Sequence, residues 1–287
     1  MTFTNLLAAD AALIKTRLDL ELGPLADQPV IHAMRYALQG GKRLRGFLVL
    51  ESARMLGISP ETSLSAAAAV EALHAYSLIH DDLPCMDDDD LRRSLPTVHR
   101  QWDEATAVLA GDALQTLAFD LLTDPALGHA ETRIALVQAL AKASGAQGMV
   151  LGQALDIAAE TAPPLTLAQI TALQSAKTGA LIRFAAEAGA ILAGHDPGPL
   201  RAYASALGLA FQIADDILDV TGDASKTGKR LNKDAAAGKA TFVSLLGLNE
   251  ARAHARTLID QATQALSAYP KAHNLIAAAH FTLTRDA

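Results

Sequence analysis

Residues 60–93 read PETSLSAAAAVEALHAYSLIHDDLPCMDDDDLRR, and this stretch decides the fold class. Ser59 followed by proline is typical of a helix N-cap with proline at the first helical position. The 3.6-residue period then places His74 and Asp81 on one helix face. Pro84 breaks the pattern. The stretch therefore predicts one long helix that ends in a cluster of carboxylates.

The rest of the chain follows the same helical pattern. Gly57 is placed to end a helix, and Thr166 with Gln169 has the spacing of a capping box. Strand-like alternation is absent over any useful length. Hydrophobic residues make up 51% of the chain and aromatic residues only 4%, a mixture that suits packed helices. We predict a single all-α domain over residues 1–287.

Composition excludes several classes of protein. The 24 Lys and Arg residues against 31 Asp and Glu residues give a net charge of -7, which does not favour nucleic acid as a partner. Cys85 is the only cysteine, which suits a reducing cytoplasm. The first residues lack the cationic start of a secretion signal. Apolar stretches such as 202–214 fall short of the ~20 residues that span a bilayer. We expect a soluble, cytoplasmic protein without a membrane span.

The first acidic cluster holds six aspartates among residues 81–90. Asp87 would lie roughly 120° around an unbroken helix from Asp81, but the break at Pro84 lets the chain bring it back. Because clustered carboxylates repel one another, a cation is expected between them, and an all-oxygen set favours Mg²⁺. A solvated acidic loop is the competing interpretation.

Two basic segments offer partners for phosphate groups. Arg92 and Arg93 follow the acidic cluster directly, and their forked donors match a diphosphate; ion pairing with neighbouring acids would explain them equally well. The turn GGKRLR at 40–45 lets Lys42 and Arg45 converge on an anion, although an ordinary surface turn has the same composition.

The second acidic cluster lies in LAFQIADDILD, residues 209–219. Asp215 and Asp219 share a helix face at i and i+4, and Asp216 flanks them. A polar, basic segment follows at 222–239, which we interpret as a mobile loop above a metal-bridged diphosphate. Its lysines are Lys226, Lys229, Lys233 and Lys239.

Several single polar residues lie in apolar helical surroundings. Lys177 either extends its amine to solvent or meets a buried anion. Gln153 and Asp156 fit a core hydrogen bond as well as a functional role. Cys85 sits between aspartates whose field raises a thiol pKa, so we do not expect it to be a nucleophile.

The ordered set GGKRLR, DDLPCMD with RR, KTG, FQIADDILD and two later GK pairs resembles the trans-isoprenyl diphosphate synthase family over nearly the whole chain. The resemblance implies a helical bundle of the isoprenoid synthase type around a central substrate cavity, and a homodimer. One departure is clear. Ser94-Leu95 stands where the family commonly has Gly-Lys, which removes a positive charge.

The resemblance also implies a role for each matching position. The magnesium ligands, for three ions, are Asp81, Asp82, Asp87, Asp215, Asp216 and Asp219. The allylic diphosphate is held by Arg92, Lys177, Lys229 and Lys239. The isopentenyl diphosphate pocket is formed by Lys42, Arg45, His74 and Arg93. The polar lining near the reacting carbons is Gln153, Asp156, Thr178 and Gln212.

The implied reaction joins isopentenyl diphosphate head to tail with dimethylallyl or geranyl diphosphate and releases diphosphate. The growing tail should pass Tyr76 and Ser77, one turn before the first motif, and bulky Tyr76 favours farnesyl diphosphate as the product. A geranylgeranyl diphosphate synthase and a non-catalytic synthase subunit are the alternatives. A terpene cyclase would not need the GGKRLR pocket, and a helical interaction protein would not explain why cations follow both acidic clusters.

Overall fold

The computed structural model describes residues 2–221 and 240–284, which form two compact units. The first unit comprises Met1–Leu140 and Ala188–His195, and the second comprises Ala141–Glu187 and Asp196–Ala287. The prediction of a single domain over residues 1–287 stays a prediction.

The first unit holds the N-terminal helices and a short hairpin. Its helices are α1 (Phe3–Leu22), α2 (Pro29–Ala37), α3 (Leu44–Met55), α4 (Pro60–Asp81), α5 (Val98–Gln101), α6 (Glu104–Leu121) and the start of α7 (Ala130–Ser144). The hairpin pairs β1 (Leu91–Arg92) with β2 (Leu95–Pro96) in antiparallel register. A 3-10 turn spans Pro125–Leu127.

Helix α4 forms the centre of the first unit, where it packs against α1, α3 and α6. The Ser59 hydroxyl accepts a hydrogen bond from the Thr62 amide at 3.4 Å, which confirms the predicted cap. Residues 66–69, all alanine, are fully buried, and their small side chains let the neighbouring helices approach closely. Gly111 on α6 also allows close packing of α6 on α4, because a Cβ there would lie 2.1 Å from Nε2 of His80.

The second unit holds the end of α7, then α8 (Met149–Ala159), α9 (Leu167–Lys177), the start of α10 (Gly179–Ala193, whose residues from Ala188 onward belong to the first unit), α11 (Gly198–Thr221), α12 (Phe242–Leu246), α13 (Leu248–Ala265) and α14 (His273–Thr284). It is built around the long helix α11, which packs against α9, α12, α13 and α14. Tyr203 of α11 is fully buried, and its hydroxyl donates to the Leu275 carbonyl at 2.7 Å.

The predicted all-α class is confirmed for the part of the chain that the structure describes, where β1 and β2 are the only strands. The predicted helix punctuation is also confirmed. Gly57 has a φ of +85°, and Thr166 with Gln169 forms a complete capping box. Local signals of cap chemistry therefore locate helix ends well in this sequence.

By length and composition alone, one helical segment of the described residues, Ala130–Ala159, is long and apolar enough to cross a membrane; an 18-residue window within it has a mean hydropathy of 1.3. A turn at 145–148 interrupts this segment between α7 and α8. One such segment is weak evidence for a membrane protein, because core helices of soluble proteins pass the same test.

Candidate active site

The first aspartate motif begins where α4 ends. After Asp81 the chain turns through Pro84, and the Asp87 amide donates to the Asp81 carbonyl at 2.8 Å. The Asp89 amide likewise donates to the Asp82 carbonyl at 3.3 Å. The prediction that the helix break returns Asp87 to the side of Asp81 is confirmed.

Asp82 is directed into the protein and is only 3% exposed. Its carboxylate accepts hydrogen bonds from Nε of Arg92 at 2.9 and 2.8 Å, and Nη2 of Arg92 adds a third. Burial opposes the charged guanidinium, but the hydrogen bonds and charge of Asp82 outweigh burial and raise the pKa of Arg92. Asp82 therefore fixes Arg92 as a cation in a forked geometry.

The hairpin that carries both arginines has an unusual turn. Arg93 and Ser94 have φ values of +53° and +63°, the signature of a type I′ turn. Such turns favour glycine because a Cβ is strained at positive φ. Ser94 occupies the position where the resemblance led us to expect glycine, so the noted departure introduces backbone strain.

Arg93 lies over the glycine pair of the basic turn. Gly40 and Gly41 have φ values of +69° and +76°, and a Cβ at Gly41 would lie 2.8 Å from Nη2 of Arg93. Nη1 of Arg93 donates to the Gln39 carbonyl at 2.8 Å. Glycine is therefore required here both for the backbone conformation and for the space that the guanidinium fills.

One polar pocket is lined by two of the residues predicted to bind isopentenyl diphosphate. These are His74 and Arg93, which lie beside Gly40. Lys42 is exposed on the same turn, and Arg45 lies in the first turn of α3.

Two further pocket residues, Arg43 and Glu71, were missed by the sequence reasoning. Glu71 is buried and accepts a hydrogen bond from the Gly46 amide at 2.8 Å. A lone acid inside the alanine-rich run of α4 was the signal that could have identified it.

The second aspartate motif occupies the C-terminal half of α11. Asp215 and Asp219 are partly exposed, whereas Asp216 is 4% exposed. Oδ2 of Asp216 accepts from the Phe242 amide at 2.8 Å, and Oδ1 accepts from Nε2 of Gln212 at 3.2 Å. As in the first motif, the second aspartate of the pair is the buried one.

Helices α8 and α9 approach closely beside Lys177. A Cβ at Gly152 would lie 2.1 Å from the Lys177 amide nitrogen. Nζ of Lys177 forms an ion pair with Asp156 at 2.7 Å, so the anion that Lys177 meets is a partly buried protein carboxylate. The side-chain amide of Gln153 is buried without a hydrogen-bond partner among the described residues, as expected for a group that lines a site.

The two residues predicted to limit tail length lie on α4. The Ser77 hydroxyl donates to the His74 carbonyl at 2.9 Å, so its small side chain is tied to its own helix. The Tyr76 ring meets His80 edge to face at 5.0 Å. Burial, followed by the charges of Asp81 and Asp112, raises the pKa of the Tyr76 hydroxyl, which therefore stays neutral.

Thr178 follows α9, and its hydroxyl donates to Oε1 of Gln212 at 3.2 Å. Four predicted lysines lie outside the described ranges, namely Lys229 and Lys239, together with Lys226 and Lys233 of the predicted loop. Across residues 2–221 and 240–284, no group of three or more His, Cys, Asp or Glu residues is arranged to hold a metal ion. Magnesium typically takes one or two carboxylates and completes its shell with water and phosphate, so the return of Asp87 to Asp81 fits that ion.

Comparison with known proteins identifies the family of this chain. The family model for polyprenyl synthetase matches residues 27–276. The chain belongs to the polyprenyl synthetase family. The family predicted from the motifs is thereby confirmed, and with it the class of enzyme, a prenyltransferase.

Several curated relatives carry the name farnesyl diphosphate synthase, and two of them align with most of this chain. The one from Escherichia coli (strain K12) is 53% identical over 251 residues, 85% of this chain and 83% of the relative. The one from Haemophilus influenzae is 47% identical over 263 residues, 90% and 89% of the two chains.

Solved structures match over the full length. An apo FPP/GFPP synthase from Zymomonas mobilis has a TM-score of 0.89 at 46% identity and covers 98% of both chains. A geranyltransferase from Helicobacter pylori, complexed with magnesium and isoprenyl diphosphate, has a TM-score of 0.86 at 34% identity and covers 99% of both chains.

Proposed function

We propose that this chain condenses isopentenyl diphosphate with dimethylallyl diphosphate and then with geranyl diphosphate, and that its main product is farnesyl diphosphate. The observation that carries the proposal is the hairpin turn. It directs Arg92 to Asp82 of the aspartate motif and Arg93 to the Gly40–Gly41 turn. Joining two diphosphates requires two cationic sites, and adjacent guanidiniums with different surroundings suit that need.

The magnesium ions would be held by Asp81, Asp87, Asp215 and Asp219, because the oxygens of Asp82 and Asp216 accept hydrogen bonds inside the protein. Three ions per site is the number that we propose. When bound, magnesium supplies charge neutralisation for a leaving diphosphate.

Cationic side chains of this protein would bind the diphosphate groups of the two substrates. Arg92 and Lys177 would hold the allylic diphosphate, joined by Lys229 and Lys239 from outside the described residues. The isopentenyl diphosphate would be held by Lys42, Arg45, His74 and Arg93. Asp156 keeps the Lys177 amine in place through their ion pair.

The reaction needs no protein nucleophile. The allylic carbon–oxygen bond breaks and its electron pair leaves with diphosphate. The alkene of isopentenyl diphosphate then forms the new carbon–carbon bond, and the resulting cation loses a proton to the departing diphosphate. The polar groups of Thr178, Gln212 and Gln153 would line the reacting carbons, while fixed cations stabilise the charge that develops on the leaving group.

Product length depends on the floor of the tail pocket. The aromatic ring of Tyr76 packs edge to face on His80 at 5.0 Å. As a bulky floor, this ring would stop elongation at fifteen carbons. A twenty-carbon product is the second candidate. It is favoured by relatives named geranylgeranyl pyrophosphate synthase, such as the Capsicum annuum protein, which is 43% identical over 265 residues.

We also propose that the protein is a cytoplasmic homodimer. Val108 and Leu109 on α6 are 40% and 58% exposed, and Ile134 on α7 is 67% exposed. Exposed apolar side chains of this kind are often covered by a second copy of a chain. Cys85 as the sole cysteine suits a reducing compartment.

A product analysis tests the proposed function. Purified protein receives magnesium, isopentenyl diphosphate and, separately, dimethylallyl, geranyl or farnesyl diphosphate, and the dephosphorylated alcohols are identified by mass. A fifteen-carbon product that is not extended supports the proposal. A twenty-carbon product would support the proposed condensation but contradict the proposal that Tyr76 limits product length. Folded protein that elongates no starter would point to a non-catalytic subunit.

A further inference from the structure

A chain of hydrogen bonds links the second aspartate motif to the KTG segment. The Phe242 amide donates to Oδ2 of Asp216 at 2.8 Å. Nε2 of Gln212 donates to Oδ1 of Asp216 at 3.2 Å, and Oγ1 of Thr178 donates to Oε1 of Gln212 at 3.2 Å. These four residues therefore form one continuous network within the second unit.

The direction of every hydrogen bond in this network is fixed from one end. A backbone amide can only donate, and an ionised carboxylate can only accept. Gln212 must therefore present its NH₂ group to Asp216 and its carbonyl oxygen to Thr178. Thr178 has a single hydroxyl proton, and Gln212 receives it. Any group that approaches the Thr178 hydroxyl consequently meets oxygen lone pairs and no proton.

We propose that Asp216 is a positioning residue that sets the polarity of the Gln212–Thr178 pair, and that it has this role rather than that of a magnesium ligand. The inference rests on the proposed function, in which positive charge develops on the allylic carbon when diphosphate leaves. Lone pairs of Thr178 stabilise that charge, whereas a hydroxyl proton in the same place would oppose it. Asp216 acts on the reacting carbon only through Gln212 and Thr178.

The anchor of the network is suited to this role. Phe242 is the first residue of α12 and its side chain is fully buried. The first amides of a helix lack partners within the helix, so the Phe242 amide needs an acceptor from elsewhere. Asp216 provides it, and the capping box of Thr241 and Ser244 fixes the backbone on either side. The donor that sets the polarity is therefore held in place.

Asp216→Asn tests the proposal because it preserves the shape of the side chain and reverses the direction of the hydrogen bonds that run through Gln212 to Thr178. The Phe242 amide keeps the asparagine oxygen on its side, so the new NH₂ group faces Gln212. Gln212 must then turn its oxygen to position 216 and its NH₂ to Thr178, whose proton is released outward. We expect kcat to fall about tenfold or more. The KM values for both diphosphates, the magnesium concentration for half-maximal rate and the Tm of metal-free protein should stay close to wild type.

A double-mutant cycle with Thr178→Val tests whether Asp216 affects kcat through the Thr178 hydroxyl. Without the hydroxyl there is no polarity to reverse, so Asp216→Asn should change kcat little further in the Thr178→Val background. Asp215→Asn is the matched control, and it should keep its full effect in that background. Should Asp216→Asn fail to fold, Gln212→Met breaks the same link, and it too should add little to Thr178→Val.

Several outcomes would overturn the proposal. One is an Asp216→Asn enzyme whose kcat is recovered at high magnesium, as expected of a lost ligand. Another is an unchanged effect of Asp216→Asn in the Thr178→Val background. If wild-type protein makes no prenyl product, the proposed function fails separately. The network is then judged by NMR of the Gln212 side-chain amide in metal-free protein, which should shift on Asp216→Asn; an unshifted signal would contradict the inference.

Discussion

The two aspartate motifs share one arrangement, a pair of neighbouring carboxylates of which the second is buried, but the buried members have different anchors. Asp82 is held by the guanidinium of Arg92, a charged group ten residues further along the chain. Asp216 is held by the amide of Phe242 and by Gln212, which are neutral. Each Asp-Asp pair thus has one partly exposed carboxylate and one buried carboxylate that is held inside the protein. The hydrogen bonds that hold the two buried carboxylates differ in strength, because only Arg92 carries a charge.

The largest effect is expected at the first aspartate of each pair. Asp81→Ala and Asp215→Ala should each lower turnover by orders of magnitude, since charge neutralisation of the leaving diphosphate is lost. The Tm of metal-free protein should hardly change. Steady-state kinetics and thermal unfolding without magnesium check both statements. Near-normal turnover in either variant would contradict the role of the two motifs in binding magnesium.

A smaller effect, on stability, distinguishes the two buried aspartates. Asp82→Ala leaves a largely buried guanidinium without its partner, and breaking such a pair lowers the free energy of unfolding by about 3–5 kcal/mol. Asp216→Ala removes an acceptor from neutral donors and should lower it by about 1–3 kcal/mol. Urea denaturation of metal-free protein measures both. Equal losses would mean that the charge of Arg92 does not distinguish the two anchors.

The smallest effect concerns the turn that carries Arg92. Ser94→Gly relieves a Cβ at a φ of +63° and should raise the free energy of unfolding by about 1 kcal/mol. Ser94→Ala keeps the Cβ and serves as the control, for which no gain is expected. The two variants are compared by urea denaturation under one set of conditions. An equal gain in both would show that backbone strain is not the source.

Much of the first motif could be predicted from sequence because its signals are local. Ser59 and Pro60 locate the start of α4, and Pro84 explains how Asp87 returns to Asp81. Helical periodicity likewise places Asp215 and Asp219 on one face of α11. These features depend on neighbours within a few residues, where cap chemistry and the 3.6-residue period apply.

The partners of the buried aspartates could not be predicted in this way. Phe242 is 26 residues from Asp216, and no periodicity links them. Asp82 and Asp216 were predicted as metal ligands from the family resemblance, and that role stays a prediction; the sequence pattern gives the type of each side chain but not its burial. The contact of Arg93 with Gly41 also depends on tertiary packing of segments that are far apart in sequence.

The two-residue turn of the hairpin determines which groups each of the two neighbouring guanidiniums reaches. Arg92 is the last residue of β1, whereas Arg93 is the first residue of the turn and has a φ of +53°, so the two side chains reach different surroundings. Inserting one residue between Ser94 and Leu95 would replace this turn by a longer one and move Arg93 out of the left-handed conformation that brings it to Gly41. Both positive charges would remain, and the composition of the loop would hardly change. An alteration that most surface loops tolerate would here separate one arginine from its contacts.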